Sequence, residues 1–161
     1  MKILVLLGTN PYSFTRLAKL VDEKLGSLHE VHIQLGNTKY MPTSCSSFTF
    51  KERSEILYLI NSSDLIIAQG GYGSIMDVLL SNKPLLVLPR ERDLHECLDD
   101  QHEITDYFAK RNYLKKIDTR IDIVALVSDI SQGKIKLTNY QKIGAPAVKN
   151  LIKSFLNELE P

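Results

Sequence analysis

The chain has no tryptophan, only two cysteines, and 20 Lys and Arg set against 19 Asp and Glu across 161 residues. That balance excludes the broad basic field on which nonspecific nucleic-acid binding depends, so no nucleic-acid partner is expected. Cys45 and Cys97 have no metal-ligand spacing. Two cysteines in a chain of this length fit a reduced cytoplasmic setting better than a disulfide scaffold. No apolar run approaches the roughly 20 residues of a membrane span. The apolar opening, residues 3–7, is too short for a signal sequence and runs straight into Gly8-Thr9-Asn10. A membrane role would therefore come through a partner. Also missing are an internal repeat, a low-complexity tract and a linker, which predicts a single domain over 1–161.

What is present is an alternation of strands and helices. Residues 3–7, 65–68 and 84–89 are apolar runs of the kind that form parallel strands covered on both faces. Residues 31–35 read as a second strand, and 48–50 and 113–114 as short ones. Phe14, Leu17, Ala18, Val21 and Leu25 form the stripe of a first helix, with Ser13 as its cap and Gly26 as its stop. Further helices are expected over 51–61, 74–80 and 121–130. Another follows Asp99-Asp100, with Ile104, Tyr107 and Phe108 inward. Pro146 opens a final amphipathic helix over 146–160, whose stripe packs on the chain's own sheet or on a partner. The pattern predicts an α/β fold, Rossmann-like, with a mainly parallel sheet and helices on both faces.

In such sheets ligands sit beyond the carboxyl ends of the strands. That rule gathers the loops 8–12, 36–40, 70–74 and 90–101 on one rim. The stretch Gly70-Gly71-Tyr72-Gly73-Ser74 joins a buried strand to a helix. Backbone amides and the helix dipole favour an anion there, and missing side chains let it approach. Ser74 suits either an N-cap or a hydroxyl donor to phosphate. Asp77 suits either a carboxylate facing the helix dipole or an acceptor for a ribose diol. Asp99, Asp100 and Gln101 are caps or sugar-hydroxyl partners, and Arg90 and Arg92 are solvated or phosphate-facing. His29 and His32 flank a strand and read as structural. His95 and His102 match no metal spacing, so no metal is assigned. No nucleophile–base–orienter set, no pair of catalytic carboxylates and no Gly-x-Gly-x-x-Gly fingerprint is visible, so no residue is assigned to catalysis.

These residues fall in an ordered set. Gly8-Thr9 precedes Phe14-x-Arg16-Leu17, and Ile33-Gln34-Leu35-Gly36-Asn37-Thr38 is followed by Tyr40 and Pro42. Then come Asp64-Leu65-Ile66-Ile67, Gly70-Gly71-x-Gly73-Ser74-Ile75-Met76, Lys83-Pro84-Leu85, Val87-x-Pro89-Arg90 and Asp99-x-Gln101. Up to about Leu114 the set resembles the C-terminal, donor-binding domain of family 28 glycosyltransferases. It is most similar to the free-standing members that form one half of a two-subunit enzyme. These include the subunit of the dolichol-pathway UDP-N-acetylglucosamine transferase and bacterial exopolysaccharide or capsule counterparts.

The resemblance implies the C-terminal half of a GT-B enzyme and a UDP-sugar donor with no cofactor. It implies a membrane-anchored partner that binds a lipid-linked acceptor, and a place at the cytoplasmic face of the membrane through that partner. Self-association of the isolated chain is left open. Inverting transfer would rest on fixed dipoles that stabilise departing UDP, without a metal. The site implied is Gly8, Thr9, Asn10, Gln69, Gly70, Gly71, Gly73, Ser74, Asp77, Arg90, Asp100 and Gln101. Thr9, the amides of 70–74 and Arg90 would hold the diphosphate, Asp77 the ribose, and Asp100 with Gln101 the sugar. The family usually has His where this chain has Gln69, and Glu where it has Asp77. Two other readings remain: a nucleoside-monophosphate phosphoribohydrolase-like enzyme, suggested by the glycine turn, and a non-catalytic enhancer subunit.

Overall fold

The computed structural model describes residues 1–141. Its strands are β1 (Lys2–Leu6), β2 (Glu30–Gln34), β3 (Ser46–Phe48), β4 (Leu65–Gln69), β5 (Leu85–Leu88) and β6 (Lys115–Lys116). Its helices are α1 (Thr15–Leu25), α2 (Arg53–Asn61), α3 (Tyr72–Leu80), α4 (His102–Ala109) and α5 (Ile123–Ser131). The helix expected over 146–160 lies outside the described residues. The six strands form one parallel sheet in the order β3-β2-β1-β4-β5-β6.

The alternation of side chains along each strand divides the core in two. Ile3, Val5, Ile33, Ile67 and Leu86 face α1 and α5, while Leu4, Leu6, Ile66, Ala68 and Val87 face α2, α3 and α4. All five residues of the expected first-helix stripe are fully buried. Each large apolar side chain sealed this way contributes about 1.5–3 kcal/mol, which outweighs local propensity and fixes the register of the central strands.

Boundaries move where packing overrides local signals. β3 begins at Ser46 rather than 48, and β6 at Lys115 rather than 113. Phe14, not Ser13, stands at the N-cap of α1, and Ser13 Oγ pairs with Thr15 Oγ1 instead. Gly26 ends α1 without a left-handed turn, at φ −59°. A Cβ there would meet Ser44 Cβ at 2.6 Å, so close packing requires this glycine. In α4, Phe108 and Thr105 are buried but Tyr107 is half exposed, against the expected inward stripe. α5 starts at Ile123, capped by the Asp122 carboxylate, which accepts from the Ala125 amide.

Candidate functional site: a cleft at the fork between β1 and β4

Chain connections leave β1 toward β2 and leave β4 toward β5, on opposite sides of the sheet. The loops after these adjacent strands therefore part, and a crevice opens between them. The crevice is a cleft of about 340 Å³. Gly8 and Thr9 form one lip, and Gln69, Gly71, Gly73, Ser74 and Asp77 form the other. Leu6, Ile56 and Ile60 supply an apolar wall, with Gln34, Lys51 and Arg53 around it. A cavity of similar size, about 320 Å³, lies at the far end of the sheet beside Asn82–Pro84; its one glycine, Gly133, follows a helix and does not lead a strand into a helix N-terminus.

The second lip is the start of α3, which begins at Tyr72, two residues before the expected Ser74. Gly71 is its N-cap and offers no side chain to the helix end. The first backbone bond into this turn runs from the Ile75 amide to the Gly71 carbonyl at 3.1 Å. The amides of Tyr72, Gly73 and Ser74 thus find no acceptor among the described residues, as at an uncapped helix start. Ser74 stands in the first turn with its hydroxyl free of the capping task. The glycines differ in their physical reasons. A Cβ on Gly70 would lie 2.8 Å from Gln101 Cβ and Thr105 Oγ1, so Gly70 lets α4 approach. A Cβ on Gly73 would meet nothing within 4 Å. Packing gives no reason for Gly73; an approach from the cleft does.

Gly8 adopts φ +75°, which favours glycine, and a Cβ there would fall 2.0 Å from Gln69 Nε2. Thr9 is exposed at the lip. Asn10 turns away: its Oδ1 accepts from the Tyr12 amide, and its carbonyl accepts from Asn37 Nδ2.

Arg90 is only 1% exposed, contrary to a role gripping the ligand directly. Its Nε donates to Gln69 Oε1 at 2.6 Å. Its Nη1 donates to the carbonyls of Glu96 and Tyr12, and its Nη2 to the carbonyl of Leu7. The guanidinium also lies 4.6 Å from the Phe14 ring centroid. Burial pulls its pKa down to about 10, partly offset by Glu96, so it stays cationic at neutral pH. Glu96 is itself buried and accepts from Arg16 Nη2 at 2.7 Å. Arg90 therefore ties the loops after β1 and β5 together beneath the cleft.

Gln101 is drawn into the same web. Its Oε1 accepts from the Arg90 amide at 3.2 Å, and its Nε2 donates to Gln69 Oε1 at 3.4 Å. Both polar ends of the side chain that was expected to meet a sugar are engaged inside the protein. Asp100 is exposed and stands one residue before Gln101, the N-cap of α4, its Oδ1 accepting from the His102 amide at 2.7 Å. Gly70, Arg90, Asp100 and Gln101 thus stand behind or beside the cleft rather than lining it. His102 Nε2 sits 3.0 Å from Glu91 Oε2, and His95 is exposed.

Asp77 lies in the cleft, but Arg53 Nη2 donates to its Oδ1 at 2.6 Å, a pairing the sequence reading missed. The ring of Lys51, Arg53, Gln34, Ile56 and Ile60 was missed as well. The available signal was the pair of cations opening α2, the crossover that must return over the fork. Among the described residues, no group of three or more His, Cys, Asp or Glu side chains is placed to hold a metal, and no helix is long and apolar enough to cross a membrane.

The description "Glycosyltransferase family 28 C-terminal domain" matches residues 2–155. A curated relative, UDP-N-acetylglucosamine transferase subunit ALG13 of Candida albicans, is 42% identical over 66 residues, which cover 40% of this chain and 21% of that protein. The match thus spans about a fifth of the relative's length. Among solved structures, the NMR solution structure of ALG13 aligns over 93% of this chain and 94% of its own, with TM-score 0.59 and 20% identity. UDP-GlcNAc 2-epimerase from Neisseria meningitidis, bound to UDP-GlcNAc, aligns over 97% of this chain and 44% of its own, with TM-score 0.60 and 16% identity. The MurG of Acinetobacter baumannii aligns over 84% and 41%, with TM-score 0.56 and 13% identity. At these identities the solved structures speak for the fold alone: an α/β Rossmann-like domain shared with GT-B enzymes. The match to the family description covers nearly the whole chain, and the chain belongs to the glycosyltransferase family 28 C-terminal domain.

Proposed function

We propose that this chain is the donor-binding half of a glycosyltransferase and holds a UDP-sugar in the cleft between β1 and β4. The observation that carries the reading is the start of α3. Its free amides face a lip where Gly73 leaves open space, so backbone donors and a helix dipole converge where a diphosphate can reach them. Thr9 and Ser74 add hydroxyl donors, Asp77 faces a ribose once Arg53 yields it, and Ile56 with Ile60 covers the base. The same donors stabilise charge that develops on departing UDP, the role of an oxyanion-type site in an inverting transfer. No base is assigned within the chain. In this reading a membrane-anchored partner supplies it, carries a lipid-linked acceptor and holds the chain at the cytoplasmic face. The word "subunit" in the name of the Candida albicans relative accords with such an arrangement. Family membership favours this reading over a phosphoribohydrolase.

The test is thermal unfolding with ligand. UDP at a hundredfold excess over its Kd stabilises the chain by about 2.7 kcal/mol through mass action, seen as a raised Tm. A Tm unmoved by millimolar UDP in the folded chain rejects the reading. Release of adenine from AMP would turn it toward the phosphoribohydrolase class.

A further inference from the structure

We infer that Gln69 is a diphosphate-facing donor whose orientation is set from behind by Arg90; this rests on the donor-binding reading above. The side chain is 7% exposed and sits at the carboxyl end of β4, where the two lips of the cleft part. Its two ends meet different surroundings. The end toward the interior meets Arg90 Nε at 2.6 Å and Gln101 Nε2 at 3.4 Å. A guanidinium has only donors, so the atom facing it is the carbonyl oxygen. The amide nitrogen must then point the other way, into the slot between Gly8 and Gly71. Added Cβ atoms at these glycines would lie 2.0 and 2.9 Å from that nitrogen, so the two glycines make the slot.

Gln69 Nε2 has no acceptor among the described residues. Yet no fully enclosed side-chain nitrogen or oxygen there lacks a partner, so this amide is open to the cleft. A side chain nine-tenths buried therefore ends in an unpartnered donor aimed at the place where the α3 amides also converge. What complements a donor beside a helix N-terminus is an anionic oxygen, here one of the diphosphate. Donation from a buried cation to Oε1 polarises the amide and strengthens the bond its nitrogen gives. Arg90 is thus a positioning residue, and its charge reaches the ligand through the Gln69 amide.

Gln69→Glu separates the two ends. A carboxylate keeps the acceptor that Arg90 requires and removes the donor in the slot. The variant is expected to unfold at a Tm no lower than the parent and to bind UDP at least tenfold more weakly in calorimetric titration. Gln69→Met removes the donor without adding charge, and a several-fold weaker Kd with a lowered Tm is expected. The 15N-labelled Gln69 side-chain amide, assigned by its disappearance in Gln69→Glu, is expected to shift on UDP addition. Arg90→Met should weaken UDP binding in the parent and change little in the Gln69→Met background, a non-additivity that loss of stability alone would not produce. Parent-like UDP affinity in Gln69→Glu, within twofold, overturns the assignment while leaving the donor-binding reading intact. Absence of UDP binding by the parent chain overturns both.

Discussion

Gly73 and Gly8 are both glycines of the cleft, and their substitution should have opposite effects on stability. Glycine inside a helix costs about 0.5–1 kcal/mol relative to alanine, a ceiling for the first turn, and at position 73 no neighbour opposes a methyl group. Gly73→Ala is expected to raise stability in urea unfolding by up to about that amount while weakening UDP binding. Stability and affinity that rise together would mean the cleft does not admit a ligand over α3. Gly8→Ala meets both the φ of +75° and Gln69 Nε2 at 2.0 Å. It is expected to cost more than about 1 kcal/mol, read in the same experiment. These roles were only half legible in the sequence. That glycines mark the turn could be read directly. Which of them serve packing and which serve approach depends on Gln101, Thr105 and Gln69, whose proximity only the fold supplies.

Among the elements, α1 carries a buried carboxylate that no reading of the sequence singled out. Asp22 is 2% exposed on the core face of α1 and binds the segment that leads to β3. Its Oδ2 accepts from the Tyr40 hydroxyl and the Thr43 amide, and its Oδ1 from the Ser44 amide. Burial alone would push its pKa up, but these donors outweigh it and bring the value down to about 2. Burial, with the Asp22 carboxylate close by, pushes Tyr40 and Cys45 up to about 12. A carboxyl depressed in the folded state stabilises the fold above its unfolded pKa, near 4. That contribution of about 2 kcal/mol is lost as pH falls through 4 toward 2. Asp22→Asn should lower stability by about that amount at pH 7 and flatten the acid limb of a stability–pH curve. An unchanged acid limb would show that other carboxylates govern it. Element existence was easier to read than such pairings. The stripes of α1 and the apolar runs of β1, β4 and β5 are local patterns. Asp22 with Thr43 and Ser44, Arg53 with Asp77, and Arg90 with Leu7 are meetings of distant residues. A charged residue after a strand, such as Arg90, reads as solvated because nothing local announces the carbonyls that surround it.

For the whole molecule, the strand order matters more than any one residue. The β1/β4 fork opens a cleft at the carboxyl ends of the strands, and the donors named above come from the loops and the helix around it. A domain of this kind can hold a leaving group. In the proposed reading an acceptor approaches from outside, together with a base to take its proton. The isolated chain is therefore expected to bind UDP and a UDP-sugar yet give no transfer above background to a lipid-linked acceptor. Activity should appear on adding the partner that carries the acceptor site, and Gln69→Glu should reduce it in that complex. UDP release in a coupled assay reads both steps. Turnover by the chain alone would place the missing base within it. Turnover in the complex unchanged by Gln69→Glu and by Ser74→Ala would move donor binding to the partner and leave this chain as an enhancer that kept the fold and lost the ligand.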